Sequence, residues 1–320
     1  MKTAEFVSPK HPDKLCDRIS DTILDLYLTN DENSRCAIET CGGHGIVMVT
    51  GEVTSTYRIK DSKIEGIVRD IADDLDLEVI VNIIEQSPEI SRGVDAGGAG
   101  DQGIMIGYAC RDNDEFVPQE YYLARKLNKK IYQDYPYDGK TQITLDDNKI
   151  RVVCSFQNAP AKELEKIVGE FFNDYPYEII SLHCNPAGDW SIGSFQADAG
   201  VTGRKLAVDN YGPRVPLGGG AFSGKDCTKV DRGAAYMARY IATDMLKKDL
   251  SNHEVKIELA YAIGYDQPLQ ATALINNKFK QDITGYDLSP QGIIKFLELK
   301  KPIFSETSKW GHMGSDFNWQ

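Results

Sequence analysis

No stretch of the 320-residue chain approaches the roughly 20 consecutive apolar residues that span a bilayer. The opening residues, MKTAEFVSPKHPDK, lack the apolar core of a secretory signal. Both absences predict a cytoplasmic protein without a membrane partner. Cysteine is sparse and poorly arranged for pairing, with seven residues at 16, 36, 41, 110, 154, 184 and 227 and no Cys-x-x-Cys. That pattern argues against a disulfide framework or a zinc site and for reduced, mostly buried thiols. A positive excess is also missing. The 36 Lys and Arg against 48 Asp and Glu leave a net charge of −12, which argues against a nucleic-acid partner or an anionic-membrane surface. In so acidic a chain, lysines and arginines gathered around glycine need a reason, and a bound anion is the simplest.

What is present is a globular composition, 41% hydrophobic and 26% charged, in a chain long enough for two or three domains. Residues 12–28 place Leu15, Ile19, Ile23 and Leu26 on one helical face, with Pro12 suited to the first turn. A hairpin follows, RCAIETC and GIVMVTGEV, expected to turn at Gly42-Gly43. A helix at 62–75 and a strand at 78–84 complete the first pass. The order recurs as a strand at 103–109, a helix at 118–134, a hairpin around Asp147-Asn148, a helix at 161–173 and a strand at 177–183. A third pass gives a strand at 204–209, a helix at 230–248, strands at 254–263 and 269–276, and a helix near 289–299. This predicts an α+β fold of three β-α-β-β-α-β units, spanning 1–95, 96–192 and 193–320, which are free to exchange terminal strands.

Three stretches carry chemistry. KHPDK (10–14) lies at the start of the first helix, where free N–H groups and the dipole favour phosphate. His11, Lys14 and Arg18 add donors there, and Asp13 is a hard oxygen ligand suited to magnesium. GGAGDQG (97–103) lets backbone approach a ligand closely, and Asp101 is placed to accept from a ribose or an amine. The segment 86–98 ahead of it reads as a surface lid. The third stretch, GGGAFSGKDCTKVD (218–231), is one residue away from a P-loop, with Asp226 where Ser or Thr is required. Its lead-in, YGPRVPL, carries two prolines and makes a poor strand. A P-loop therefore fails on both counts. Arg204, Lys205, Lys225, Lys229 and Arg232, closed by Asp231, predict a polyphosphate and metal site built differently.

HPDK, GAGDQG and GGGAFSGKD, in that order, resemble the S-adenosylmethionine synthetase (methionine adenosyltransferase) family. The likeness extends through ISDTILD (19–25), YAIG (261–264) and GHMGSDFNW (311–319). The resemblance implies three similar units about a pseudo-threefold axis and active sites between subunits, hence at least a homodimer, with a tetramer as the larger alternative. It implies attack of the L-methionine sulfur on C5′ of ATP, expulsion of the triphosphate, and its hydrolysis to pyrophosphate and phosphate. Two Mg2+ per site and a K+ are the implied cofactors.

By the same resemblance His11 bonds the oxygen leaving C5′, and Asp13 and Asp231 hold magnesium. Lys140, Arg204, Lys225 and Lys229 bind the triphosphate, supported by Lys205 and Asp138. Glu39 is the potassium carboxylate. Glu52, Gln86 and Asp101 serve methionine, Asp198 the ribose, and Trp190 and Ile263 the two faces of adenine. The chain departs from the family in its compact length, a shortened lid at 87–99, Lys10 before HPDK, which adds a cation near the phosphates, and Asn158 after Gln157. The trimmed lid keeps two alternatives open: a triphosphate hydrolase, or a paralogue acting on another thioether. A nucleotide-binding subunit without catalysis would tolerate loss of His11, Asp13 or Asp231, and all three are present.

Overall fold

The computed structural model describes residues 1–86, 98–314 and 317–320. The first third runs β1 (Lys2–Val7), α1 (Pro12–Asn30), β2 (Arg35–Gly43), β3 (Ile46–Thr54), α2 (Asp61–Ala72), β4 (Glu78–Glu85). The order repeats as β5 (Gly103–Cys110), α3 (Gln119–Asp134), β6 (Gly139–Asp146), β7 (Lys149–Phe156), α4 (Ala161–Phe172), β8 (Glu178–Cys184). The last third adds α5 (Ser194–Ala197), β9 (Gly200–Val201), α6 (Leu206–Asp209), α7 (Val230–Lys248), β10 (Glu254–Tyr261) and β11 (Gln270–Ile275). It closes with β12 (Phe279–Asp282), α8 (Pro290–Leu297) and α9 (Phe304–Thr307). The fold is α+β, as the periodicity predicts.

These strands form three four-stranded sheets, β1-β6-β7-β8, β5-β10-β11-β12 and β9-β2-β3-β4. The leading strand of each repeat pairs antiparallel with another repeat's hairpin: β1 with β6, β5 with β10, β9 with β2. Helices α1, α3 and α7 each back the seam so formed, α1 against β2 and β9, α3 against β1 and β6, α7 against β5 and β10. Strands β4 and β8 close their sheets in parallel, as a crossover helix requires, whereas β12 extends its sheet antiparallel.

Local sequence explains most of this. His11 caps α1, its Nδ1 accepting from Asp13 N at 3.2 Å, and Pro12 fits the first turn. Leu15, Ile19 and Ile23 bury the inner face of α1 completely. Gly107 lets β5 press onto α7, since a Cβ there would lie 2.1 Å from the Ala238 backbone.

Two expectations are corrected. The β2–β3 ladder continues through Gly42 and Gly43, and the turn falls on His44 and Gly45, both at positive φ as a two-residue hairpin turn requires. Residues 204–209 do not form a strand. Leu206–Asp209 is a helical turn, because its polar groups have tertiary partners a strand would not reach: Asp209 meets Lys14, and the Val208 carbonyl accepts from Tyr121 Oη at 2.7 Å. Strands β1, β9 and β12 carry too few alternating apolar residues to stand out in the sequence.

All seven cysteines are free thiols, and five of them are buried. No helix of the described residues is long and apolar enough to cross a membrane.

Candidate active site

The predicted residues assemble into two groups, one at the N-terminus of α1 and one around the glycine arm ahead of α7. In the first, Asp13 is fully buried and accepts from Val201 N at 3.0 Å. Arg204 Nε lies 3.0 Å from its Oδ1, and Lys205 Nζ bonds its Oδ2. Burial works to raise the Asp13 carboxyl, but the Lys205 and Val201 bonds prevail and hold it below the usual carboxylate range. His11 is 4% exposed, and burial, with Lys205 and Lys140 nearby, pushes its imidazole down to about 3. It is therefore neutral at physiological pH, able to donate from one nitrogen to a developing oxyanion. Lys140 is exposed at the start of β6.

Asp138 borders the same group. Its Oδ2 accepts from Ser194 N at 3.0 Å, and burial raises its carboxyl to about 6 against the pull of that bond and of Lys140. Ser194, at φ 54, donates its hydroxyl to Lys10 O at 2.7 Å, tying this loop to the HPDK turn. Trp190 is half-buried on the same loop, and Asp198 is exposed, accepting from Ala199 N at 2.8 Å.

The second group is built on the arm. Gly224 has φ +82, and a Cβ there would lie 1.9 Å from Ile38 O, so only glycine passes. This lets Lys225 bridge to Ala37 on β2, and Lys225 Nζ pairs with Asp231 Oδ2 at 2.6 Å at the start of α7. Glu39 and Glu52 share one face of the β2–β3 ladder beside Lys225. Desolvation raises the Glu39 carboxyl, and Lys225 opposes the rise. Gln86 is buried at the end of β4 and accepts from Thr54 Oγ1 at 3.4 Å. Asp101 is exposed just before Gly103, where a Cβ would lie 3.5 Å from Asp231 Oδ1. Ile263 is 57% exposed on the loop after β10, which the Gly264 N to Ala99 O bond (2.8 Å) joins to the Asp101 loop. Among the described contacts, no hydrogen bond or ion pair links the first group to the second.

Three family models match the chain: the S-adenosylmethionine synthetase N-terminal domain over residues 1–88, the central domain over 96–174 and the C-terminal domain over 192–320. The chain belongs to the S-adenosylmethionine synthetase family. Its fold is similar to a solved structure described as an unusual S-adenosylmethionine synthetase from Campylobacter jejuni. The TM-score is 0.89 at 29% identity, over 99% of this chain and 96% of that one.

Several residues of this synthetase sit differently from expectation. Lys14 is not a phosphate donor; it is 1% exposed, paired with Asp17 at 2.9 Å and with Asp209. Lys10, expected to add a cation near the phosphates, donates to Ile71 O, in the last turn of α2, at 3.3 Å. Arg232 is fully buried against Asp21. Asp226, the residue that spoils the P-loop, faces inward, accepting from Cys36 N at 2.7 Å and from Lys229 Nζ at 2.6 Å. Of the lid expected at 87–99, residues 87–97 lie outside the described residues.

Sequence reasoning missed Gln157, which bonds Ser191 O at 2.9 Å and lies against Asp138 N, steadying the Trp190 loop. It missed Asp21 and Asp209 as well. The signal available for these was acidic residues on apolar-rich helical faces, where a buried charge demands a cation.

Proposed function

We propose that this synthetase joins L-methionine to the adenosyl group of ATP and then hydrolyses the released triphosphate to pyrophosphate and phosphate. The observation that carries the reading is that each group holds one carboxylate paired with cations: Asp13 with Arg204 and Lys205, Asp231 with Lys225. A thioether sulfur attacks C5′ without losing a proton, so no general base is needed. The difficulty is charge gathering on the leaving triphosphate, and fixed cations aimed there supply most of the catalysis. Lys140, Arg204, Lys225 and Lys229 are the cations assigned to it, with Lys205 holding Asp13 and Asp138 holding the Ser194 turn. Neutral His11 donates to the oxygen leaving C5′. Asp198 takes the ribose, Trp190 and Ile263 the adenine, and Glu52, Gln86 and Asp101 the methionine.

No group of three or more His, Cys, Asp or Glu side chains among the described residues is arranged to hold a metal ion. Isolated carboxylates among phosphate-binding cations suit magnesium, which commonly takes one or two carboxylates and completes its shell with phosphate oxygens and water. Asp13 and Asp231 would hold the two ions, and Glu39 a potassium ion. When bound, the metals neutralise triphosphate charge.

Because no hydrogen bond or ion pair among the described residues joins the two groups within one chain, we assign the complete site to a homodimer, with one copy supplying the His11 group and the other the Lys225 group. The outer face of β3 and β4 supports this. Ile46, Met48, Ile80 and Ile84 are exposed there on the same side as Glu39 and Glu52.

The test is incubation of purified protein with methionine, ATP, magnesium and potassium, followed by detection of S-adenosylmethionine. Normal nucleotide binding without product would sink the reading. Hydrolysis of free tripolyphosphate without adenosyl transfer would select the hydrolase instead.

A further inference from the structure

The arm from Gly218 to Lys225 has four glycines and almost no conformational preference of its own, so whatever fixes Lys225 must come from outside it. Besides the β2 backbone, where Ile38 N donates to Gly224 O at 3.0 Å, two buried side chains do this. Asp21, in the middle of α1, accepts from Gly224 N at 2.8 Å on Oδ1. Arg232, next to Asp231 on α7, donates from Nη1 to Lys225 O at 3.0 Å. The pair thus grips both ends of the Gly224–Lys225 dipeptide unit. The two side chains bond each other through a fork, Nη1 to Oδ1 at 2.6 Å and Nη2 to Oδ2 at 3.0 Å. The remaining guanidinium directions are filled by Tyr236 Oη at 3.0 Å and Thr307 Oγ1 at 3.1 Å. Both residues are 0% exposed, so neither touches substrate.

A buried ion pair is weak evidence for stability, because desolvation consumes most of its attraction. Here each partner also commits a hydrogen bond to the backbone of one glycine-rich segment, at the residue that bears the reactive-site cation. The rigid fork of arginine suits that geometry in a way that lysine does not. We infer that Asp21 and Arg232 are positioning residues for the adenosyl transfer, setting where the Lys225 ammonium meets the triphosphate. The inference rests on the reading that Lys225 binds that group.

The decisive variant is Arg232→Lys. It keeps a positive charge beside Asp21, but one ammonium cannot span Asp21, Lys225 O, Tyr236 and Thr307 together. The expected result is a kcat at least tenfold lower and inhibition by tripolyphosphate weakened about as much. Adenosine binding should stay within twofold, since none of Asp198, Trp190 and Ile263 lies on the arm. A folded Arg232→Lys protein with kcat and tripolyphosphate inhibition within twofold of the parent would overturn the inference. A second measurement needs no variant. In the parent protein the Gly224 amide should exchange with solvent as slowly as amides in the middle of α7, and exchange as fast as that of Gly219 would equally overturn it. Lys225→Ala run in parallel separates the two levels. Full activity there overturns the role of the arm, whereas loss of activity there with full activity in Arg232→Lys overturns positioning alone.

Discussion

Replacing Lys225 by alanine should separate catalysis from folding. The Lys225 side chain is 21% exposed and its partner Asp231 14%, at 2.6 Å. A single pair that is partly buried but still reaches water contributes on the order of 1 kcal/mol to stability. The backbone bonds of the arm, Lys225 N to Phe222 O and Gly224 N to Asp21, survive the change. Loss of one preorganised donor to developing negative charge costs about 2.7–4 kcal/mol of barrier. At about 1.36 kcal/mol per decade, this is a fall in kcat of roughly 100- to 1000-fold. Measuring S-adenosylmethionine formation under saturating substrates, alongside the urea midpoint, checks both numbers. A variant with kcat within fivefold of the parent, or one that fails to fold, would refute the reasoning.

Three further outcomes are expected. The Asp138 carboxyl is raised from 3.8 to about 6 by burial, so the folded state binds more protons than the unfolded one between those values. Stability from this group is present below pH 4 and lost as pH rises through about 6, to the extent of about 3 kcal/mol at most; urea midpoints of Asp138→Asn should lack this dependence, and an unchanged profile counts against it. Trp319 is fully buried, stacked on Tyr236 at 3.9 Å, with Nε1 donating to His312 O at 2.8 Å. Trp319→Ala should cost about 3–5 kcal/mol in chemical denaturation, and a loss under 1 kcal/mol would contradict the packing account. Glutamates at both Met48 and Ile80 should shift sedimentation to the monomer and abolish turnover, and a persistent active dimer would place the interface elsewhere.

Much of the fold is legible in the sequence because its determinants are local. Helix α1 is announced by His11, Pro12 and an apolar face, and the β6–β7 hairpin by Asp147, which takes φ 54. The site motifs are legible because lysine set among glycines in an acidic chain points to a bound anion. What escapes depends on contacts across the chain. Nothing near Lys14 in sequence indicates that Asp209 neutralises it, and Arg232 reads as one more phosphate ligand until Asp21, 211 residues away, is seen opposite. Asp226 shows the same limit: judged by its neighbours it obstructs a phosphate loop, yet it turns inward and bonds the backbone of β2.

The ring of borrowed strands also has a consequence during synthesis. The sheet holding β2, β3 and β4 is not complete until β9 at Gly200 has emerged, and β5 waits for β10 beyond Glu254. No third of the protein can therefore close its own sheet, and the growing chain presents unpaired strand edges until most of it is made. An arrest or a frameshift before Gly200 would leave an open edge in the first repeat, and one before Glu254 an open edge in the second, so a defect in the last third is felt in repeats already made.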